Sequence, residues 1–566
     1  MKKTGKLLLA LCVAKGVAQN TIPIPDTLSG TNYTLTMHTD SMQILPGKIT
    51  KTLAFNSHHF LGPTLIFNKW QTANIIVNNQ IGDTTTVHWH GMHVPAKFDG
   101  GPHAQILNGN SWNPVYTVMN KAAMYWYHPH FMGKTAEQAI KGASGLIIVR
   151  DSAEAALILP RKYGVDDLPL IVKCLQLDSN NQFMPRGMQD STLLVNGVTN
   201  PQYSLPAQVV RLRLLNGSGE RTFNFGFTTN KSFYVIGNDG GLLNAPVLVT
   251  RIRLSPGERA EVLINLSGMS GQTIYLMSYG AELPMGVQGG PTMVMGGSGP
   301  PMNSPLNGID FNILKLNVIA QTANPVTSIP TTLVPVTPYT QGQAAITRNI
   351  TFTADSMMVM DGPFYFNGLS LDMMRVDYHI PLNQTEIWTL MDSTMVGHPF
   401  HIHDVQFFVL DRDGNAPPPE ELGWKDVVLV QPNETVRIIM KFTDFVDSTI
   451  PYMYHCHILM HEDDGMMGQF EVMPRGWLGI MQYLNNNQQA LLYPNPTKDV
   501  LNIDCTGFDN SLPISITISD ALGKIVYVGS ASAVHYRLNT SGWANGFYSI
   551  SLTQKEQSIH KKIIIE

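Results

Sequence analysis

The chain is 566 residues long, enough for three or four domains at roughly 150 residues each, which excludes a single small binding module. Charged residues make up only 14% beside 48 glycines and 36 prolines, a turn-rich profile that excludes an assembly of long solvated helices and favours many short strands. A net charge of −5 argues against a nucleic acid or an anionic membrane as partner.

At the start, Lys2, Lys3 and Lys6 precede an apolar run from Leu7 to Ala14, and small residues flank Ala18. This predicts a secretory signal peptide over residues 1–18, cut after Ala18. Its loss removes four lysines and moves the charge to −9. The mature protein is then exported across the inner membrane, to be secreted, held at the cell surface or kept in the periplasm. No later stretch reaches the ~18 apolar residues of a transmembrane segment. Three cysteines remain, Cys174, Cys456 and Cys505, too few for a disulfide scaffold even in an oxidising compartment. A lone thiol in such a place calls for a chemical reason.

Beyond the leader, turn signals recur every eight to twelve residues around short β-rich runs such as Ala73 to Val77, Leu146 to Val149, Val209 to Leu215 and Thr435 to Met440. The spacing predicts an all-β protein of sandwiches. Three blocks separate at about 28 to 152, 165 to 320 and 345 to 475. Their boundaries fall near Asp151 to Asp167 and in the Gly/Pro/Ser/Met-rich and Pro/Thr-rich stretches Pro284 to Pro305 and Pro325 to Pro338. A fourth unit, 488 to 566, runs from Tyr493-Pro494-Asn495-Pro496 to Lys561-Lys562-Ile563-Ile564-Ile565-Glu566. Its alternating apolar residues predict a small sandwich.

An internal repeat ties the first block to the third. Tyr125-Trp126-Tyr127-His128-Pro129-His130 matches Tyr452-Met453-Tyr454-His455-Cys456-His457, and each phrase follows another pair, His88-Trp89-His90 or His401-Ile402-His403. The middle block has no histidine between His130 and His379, so it reads as a spacer of similar build. In a strand, residues two apart face one way and the residue between them faces the other. His455 and His457 therefore point to one side and Cys456 to the opposite side, which sets two metal sites back to back through one cysteine.

On the cysteine side, His398, Cys456, His461 and Met466 supply two imidazoles, a thiolate and a weak thioether, the donor set of a blue type 1 copper site. The first block has Thr85, Pro129, Lys134 and Ala139 at the equivalent positions, so it lacks every one of these ligands. The other side collects eight imidazoles, His88, His90, His128, His130, His401, His403, His455 and His457, a set suited to three coppers at an interdomain seam. Zinc competes on ligand type, but one zinc needs only about four ligands, and a lone cysteine with methionine favours copper.

These phrases, His88-Trp89-His90-Gly91, His128-Pro129-His130, His398-Pro399-Phe400-His401-Ile402-His403 and His455-Cys456-His457 through His461 to Met466, resemble those of the multicopper oxidases, the family of laccases, bilirubin oxidases and copper-efflux oxidases. The resemblance covers about residues 30 to 475. In the middle block, Leu194-Val195-Asn196-Gly197, Leu214-Leu215-Asn216-Gly217 and Pro256-Gly257-Glu258-Arg259-Ala260 look like the second domain of the bacterial members. The resemblance implies three cupredoxin-like Greek-key sandwiches and four copper ions. Type 1 copper is then held by His398, Cys456 and His461 with Met466 axial, and type 2 by His88 and His401. The type 3 pair is shared between His90, His128, His457 and His130, His403, His455. It also implies one-electron oxidation of a reductant, phenolic, tetrapyrrole or similar, coupled to reduction of dioxygen to water.

That reduction consumes protons, and the family's acidic positions fall on Asp99, before Gly100-Gly101-Pro102, and on Glu462, directly after His461. Cuprous-ion oxidation, or copper sequestration for resistance, is the alternative function. Met285, Met293, Met295, Met302, Met357, Met358 and Met360 raise it, but no dense methionine helix precedes His398 as it does in copper-efflux oxidases. A copper nitrite reductase of the two-domain type is disfavoured by the third block and the extra histidine pairs. Residues from about 488 resemble the C-terminal sorting domain of type IX secretion cargo, which implies the secretion machinery as a partner.

Overall fold

The computed structural model describes residues 19–187, 189–292, 304–356, 362–474, 489–506, 508, 512–531, 535–555 and 557–565. The proposed leader and Met293, Met295, Met302, Met357, Met358 and Met360 lie outside them. Strand accounts for 49% of the chain and helix for 6%, so the molecule is all-β, and among the described residues the longest helix is the short Thr135–Ile140. Two compact units are present, one ending at Met473 and one starting at Pro474.

The first unit holds three sandwiches. In the first, one sheet runs in the order Thr27–Ser29, Thr64–Asn68, Gly145–Arg150, Ala123–His128, His88–His90, and faces a sheet built on Thr50–Phe55, Asn32–Met42 and Thr72–Gln80. The middle sandwich pairs two six-stranded sheets. The third pairs two five-stranded sheets, one ordered Tyr378–Pro381, Met467–Met473, Asp447–Cys456, His398–Ile402, Val427–Val430.

Outer strands show the alternation that places every second residue in a core: Tyr33, Leu35 and Met37 are buried while their neighbours are exposed or half-buried. The histidine strands do not alternate, because both of their faces are covered. Ala123–His128 and His398–Ile402 are buried along their whole length. One face fills its sandwich, with Trp89, Tyr125 and Tyr127 in the first core and Phe400, Ile402, Tyr454 and Cys456 in the third. The other face lies on the seam between these two sandwiches.

The middle sandwich is fastened to the first by apolar packing of Phe60 and Trp126 against Ile171, Leu194 and Leu215. Its link is also ionic: buried Arg211 bridges Glu154 (2.8 Å) and Glu261 (2.9 Å), and Arg213 bridges Asp167 (2.7 Å) and Glu261 (2.6 Å). Glu154 belongs to the short helix Ser152–Ala155 in the connection between the two sandwiches, and Asp167 opens the middle sandwich's strand Asp167–Leu175. Removing one member would leave another buried charge unpaired and destabilise the fold. The second unit is a small sandwich of three- and four-stranded sheets with its own core around Leu501, Ile516, Ile550 and Ile563.

Candidate metal centre

Strand register decides which side chains meet. In the third sandwich His401 lies opposite His455 and Phe400 opposite Cys456. In the first, His88 lies opposite His128 and Trp126 opposite His90. Residues opposite one another in antiparallel strands share a face, so His401, His403, His455 and His457 turn to the seam while His398 and Cys456 turn to the sandwich interior. The structure thus brings the eight seam histidines together and separates them from the cysteine site by one strand thickness.

The eight imidazoles form three convergent groups, each with ligand atoms within 4.8 Å of one another: His90, His128 and His457; His130, His403 and His455; and His88 with His401, where His90 also comes within reach. A pseudo-twofold arrangement relates the two halves. His88 stacks on His403 at 3.8 Å between centroids, and His90 stacks on His401 at 3.8 Å.

Each half also supplies one aspartate that braces both domains. Nδ1 of His88 donates to the carbonyl of Asp99 (2.9 Å), while the Asp99 carboxylate accepts from Nδ1 of His403 across the seam (2.7 Å). Nδ1 of His401 donates to the carbonyl of Asp426 (2.7 Å), and the Asp426 carboxylate faces Nε2 of His90 across the seam (3.1 Å). The backbone carbonyl orients a histidine of its own domain and the carboxylate orients one of the other. Asp99 reaches this position because Gly100 follows with φ +80°, where a Cβ would stand 1.8 Å from the Val87 carbonyl oxygen.

These hydrogen bonds fix tautomers and test the fit to a metal. With Nδ1 committed, His88 and His401 turn Nε2 atoms that have no hydrogen-bond partner toward each other's group. Nε2 of His455 lies 3.1 Å from Nε2 of His130 and 3.3 Å from Nε2 of His403, while the Nδ1 atoms of His455 and His403 donate elsewhere. Between His403 and His455, whose Nδ1 atoms both donate elsewhere, the facing Nε2 lone pairs have no proton between them, an arrangement that a bound cation would satisfy. Burial holds His90, His128, His130, His401 and His457 well below the ordinary imidazole value and His403 at about 3, so at neutral pH they are in the metal-binding form.

Glu462 lies behind the same group, its carboxylate oxygens 3.4 Å from Nδ1 of His130 and 3.3 Å from Nδ1 of His455. Burial acts to raise its pKa, but the adjoining His130 and His455 outweigh it and bring the group to about 2. At Asp99, burial is likewise outweighed, by His403 and His88, and the carboxyl stays well below its usual range.

On the other side of the strand, Cys456 Sγ lies 3.5 Å from Nδ1 of His398 and 3.6 Å from Nδ1 of His461, with the two nitrogens 3.2 Å apart. Thr394 donates its hydroxyl proton to the Val396 carbonyl, so Nε2–H of His398 donates to Thr394 Oγ1 (3.0 Å) and Nδ1 is left as the donor atom facing sulfur. The Ile458 amide donates to Sγ (3.4 Å), and Phe364 packs against both rings. Met466 is fully buried, and its main chain bonds to both Cys456 and His461. Burial pushes the Cys456 thiol up, so its conversion to thiolate needs the charge of a bound metal.

Two buried partners were not singled out as site residues from the sequence. Arg259 of the middle sandwich bonds both carboxylate oxygens of Asp426 (2.5 and 2.7 Å) and so reaches the seam from the domain that carries no ligand. Asp426 itself stands in Lys425-Asp426 ahead of the apolar run Val427-Val428-Leu429-Val430. A carboxylate at the head of a buried strand was the available signal.

Family models described as multicopper oxidase match residues 36–154, 174–293 and 338–476, and a model of the secretion system C-terminal sorting domain matches residues 491–566. Multicopper oxidase mco of Staphylococcus haemolyticus is 34% identical over 450 residues, which span 78% of this chain and 88% of that protein. The cell division protein FtsP of Xenorhabdus nematophila is 31% identical over 424 residues, 74% of this chain and 85% of that protein. Among solved structures, the laccase-like multicopper oxidase CueO of a lignin-degrading Ochrobactrum superposes with a TM-score of 0.70 at 30% identity, covering 80% of this chain and all of that one.

Proposed function

From the premise that the chain belongs to the multicopper oxidase family, we propose that it is a laccase-like oxidase that couples one-electron oxidation of an organic donor to four-electron reduction of dioxygen to water. The observation that carries this reading is the complete donor set: a Cys-His-His group and three convergent histidine groups, joined through the covalent bonds of Cys456 to His455 and His457. A relative of similar identity is named for cell division rather than oxidation, so the scaffold alone does not carry the reading, and the donor set is what supports it.

Four copper ions would fit these residues, one held by His398, Cys456 and His461 with Met466 as a further donor, one by His88 and His401, and two by the remaining imidazole groups. When bound, copper supplies one-electron redox chemistry and a site for dioxygen. The backbone bonds of Cys456 would offer electrons a covalent path to its two histidine neighbours, His455 and His457. Asp99 and Asp426 hold the imidazoles in one tautomer and orientation across the seam. Asp99 and Glu462 are the buried carboxylates through which protons reach the seam.

Copper analysis together with oxygen uptake tests the reading. The expected result is about four coppers per chain and one dioxygen consumed per four electrons from 2,6-dimethoxyphenol, without accumulation of peroxide. Turnover with Cu(I) alone would move the assignment to the cuprous-ion oxidase, and copper binding without oxygen uptake would make the protein a copper store.

The C-terminal sorting domain supports secretion as the protein's route, and its separate core gives a second expected outcome. A chain ending at Met473 should bind copper and consume oxygen like the full chain, yet be retained in the cell in a host with the secretion system. Cell fractionation with a copper assay checks this, and loss of copper from the shortened chain would make the tail part of the oxidase fold.

A further inference from the structure

Three residues after His90, the turn leaving the first sandwich's histidine strand carries another imidazole, His93, that belongs to none of the ligand groups. Its backbone is held by Asn120, whose side chain accepts from the His93 amide (2.9 Å) and donates to the Gly91 carbonyl (2.9 Å). Its ring crosses to the third sandwich. Nδ1 lies 2.7 Å from Oδ1 of Asp404 and 3.2 Å from the Asp404 carbonyl, and Nε2 lies 3.0 Å from Oδ2 of Asp444. Both nitrogens face only acceptors, so both carry hydrogen and the ring is cationic.

Asp404 directly follows His403, which converges with His130 and His455. Its side chain is fully buried, and its backbone turns through φ +70°. A carboxylate buried beside the cluster needs a counter-charge, and His93 provides it from the opposite domain. The other charged or titratable groups around the pair are Asp99 and Tyr452 near Asp404, and Lys441 near Asp444, while Phe445 covers the ring at 4.7 Å.

We propose that His93 is a positioning residue, an imidazolium clasp that ties the Asp404 turn of the third sandwich to the turn after His90 in the first and so keeps the ligands of the two domains in register. The inference rests on the reading of the seam as a copper cluster. Despite burial, the paired carboxylates of Asp404 and Asp444 raise the ring's pKa to about 9. A raised folded-state value means that the clasp contributes fully below the ordinary pKa near 6.5 and is lost as the pH rises through about 9. The clasp therefore holds at neutral pH and opens in alkali.

Two variants and two readouts test it. Asp444→Asn alters an exposed partner far in sequence from any ligand, and His93→Gln keeps a contact with Asp404 but carries no charge. In the wild type, the unfolding temperature should fall between about pH 6.5 and about pH 9, and the type 2 copper EPR hyperfine pattern should change with a midpoint near pH 9. Asp444→Asn should lower that midpoint by about one unit. His93→Gln should lack the transition and release copper to a chelator about tenfold faster at pH 7, with its blue band unchanged. Parallel unfolding profiles in all three proteins would overturn the clasp. A shift in unfolding without any change in the type 2 signal would leave His93 a structural tie only and overturn its positioning role. Absence of a type 2 signal in every protein, including the wild type, would instead refute the copper reading, and the positioning claim with it.

Discussion

Cys456→Ser is expected to abolish the intense blue absorption and steady-state oxidation of every organic donor, while the eight seam histidines still bind copper. The sulfur is the only thiolate source among the site residues, and the colour of a His₂Cys copper site arises from its bond to the metal. A serine hydroxyl is smaller, harder and unionised in that setting. It fits the space left by Sγ and can still accept from the Ile458 amide, which now lies 3.4 Å from sulfur. The substitution faces the sandwich interior, whereas His455 and His457 face the seam, so the cluster keeps its ligands. Optical spectra and metal analysis of the purified variant check this. A retained blue band would refute the assignment of Cys456, and loss of all copper would show that the two sites form as one.

The second large effect is expected at Asp99. Asp99→Asn should keep four coppers, the blue colour and fast reduction by donor, but reoxidise in air slower by roughly 10²-fold, the low end of what a lost general acid or base costs. The amide can still accept from Nδ1 of His403, and the backbone carbonyl that orients His88 is untouched. What disappears is a carboxylate able to take and pass on a proton at the seam. Glu462→Gln should slow the same step to a similar degree, since Glu462 stands 3.4 and 3.3 Å from His130 and His455. Anaerobic reduction followed by a pulse of oxygen isolates the step. A normal reoxidation rate in Asp99→Asn would leave Asp99 as the residue that positions His403 and remove it from proton delivery.

The candidate donors and their division between two faces were legible in the sequence, because side-chain direction along a strand is a local property with period two. His-x-His and His-Cys-His therefore announce which donors share a face before any partner strand is known, and the register of His401 with His455 and of His88 with His128 keeps that division. The turn-rich composition likewise specifies sandwiches, since short strands between close turns have few other ways to bury their apolar faces.

What depended on packing between domains was not legible. Chain adjacency attaches Glu462 to His461 and the thiolate site, yet the single helical turn Leu459–Asp463 sends the two side chains in different directions and places the carboxylate behind the cluster. Asp426 becomes a site residue because the first and third sandwiches meet at the seam, and Arg259 because the middle sandwich docks against Asp426. His93 is an ordinary turn histidine until Asp404 and Asp444 arrive from more than 300 positions away. The strand repeat sets which way a residue points over two or three positions, whereas a charge finds its counter-charge through contacts whose separation in the chain is set by how whole sandwiches pack. The sequence alone thus determined which candidate donors share a face, and the tertiary structure decided which groups brace and neutralise them.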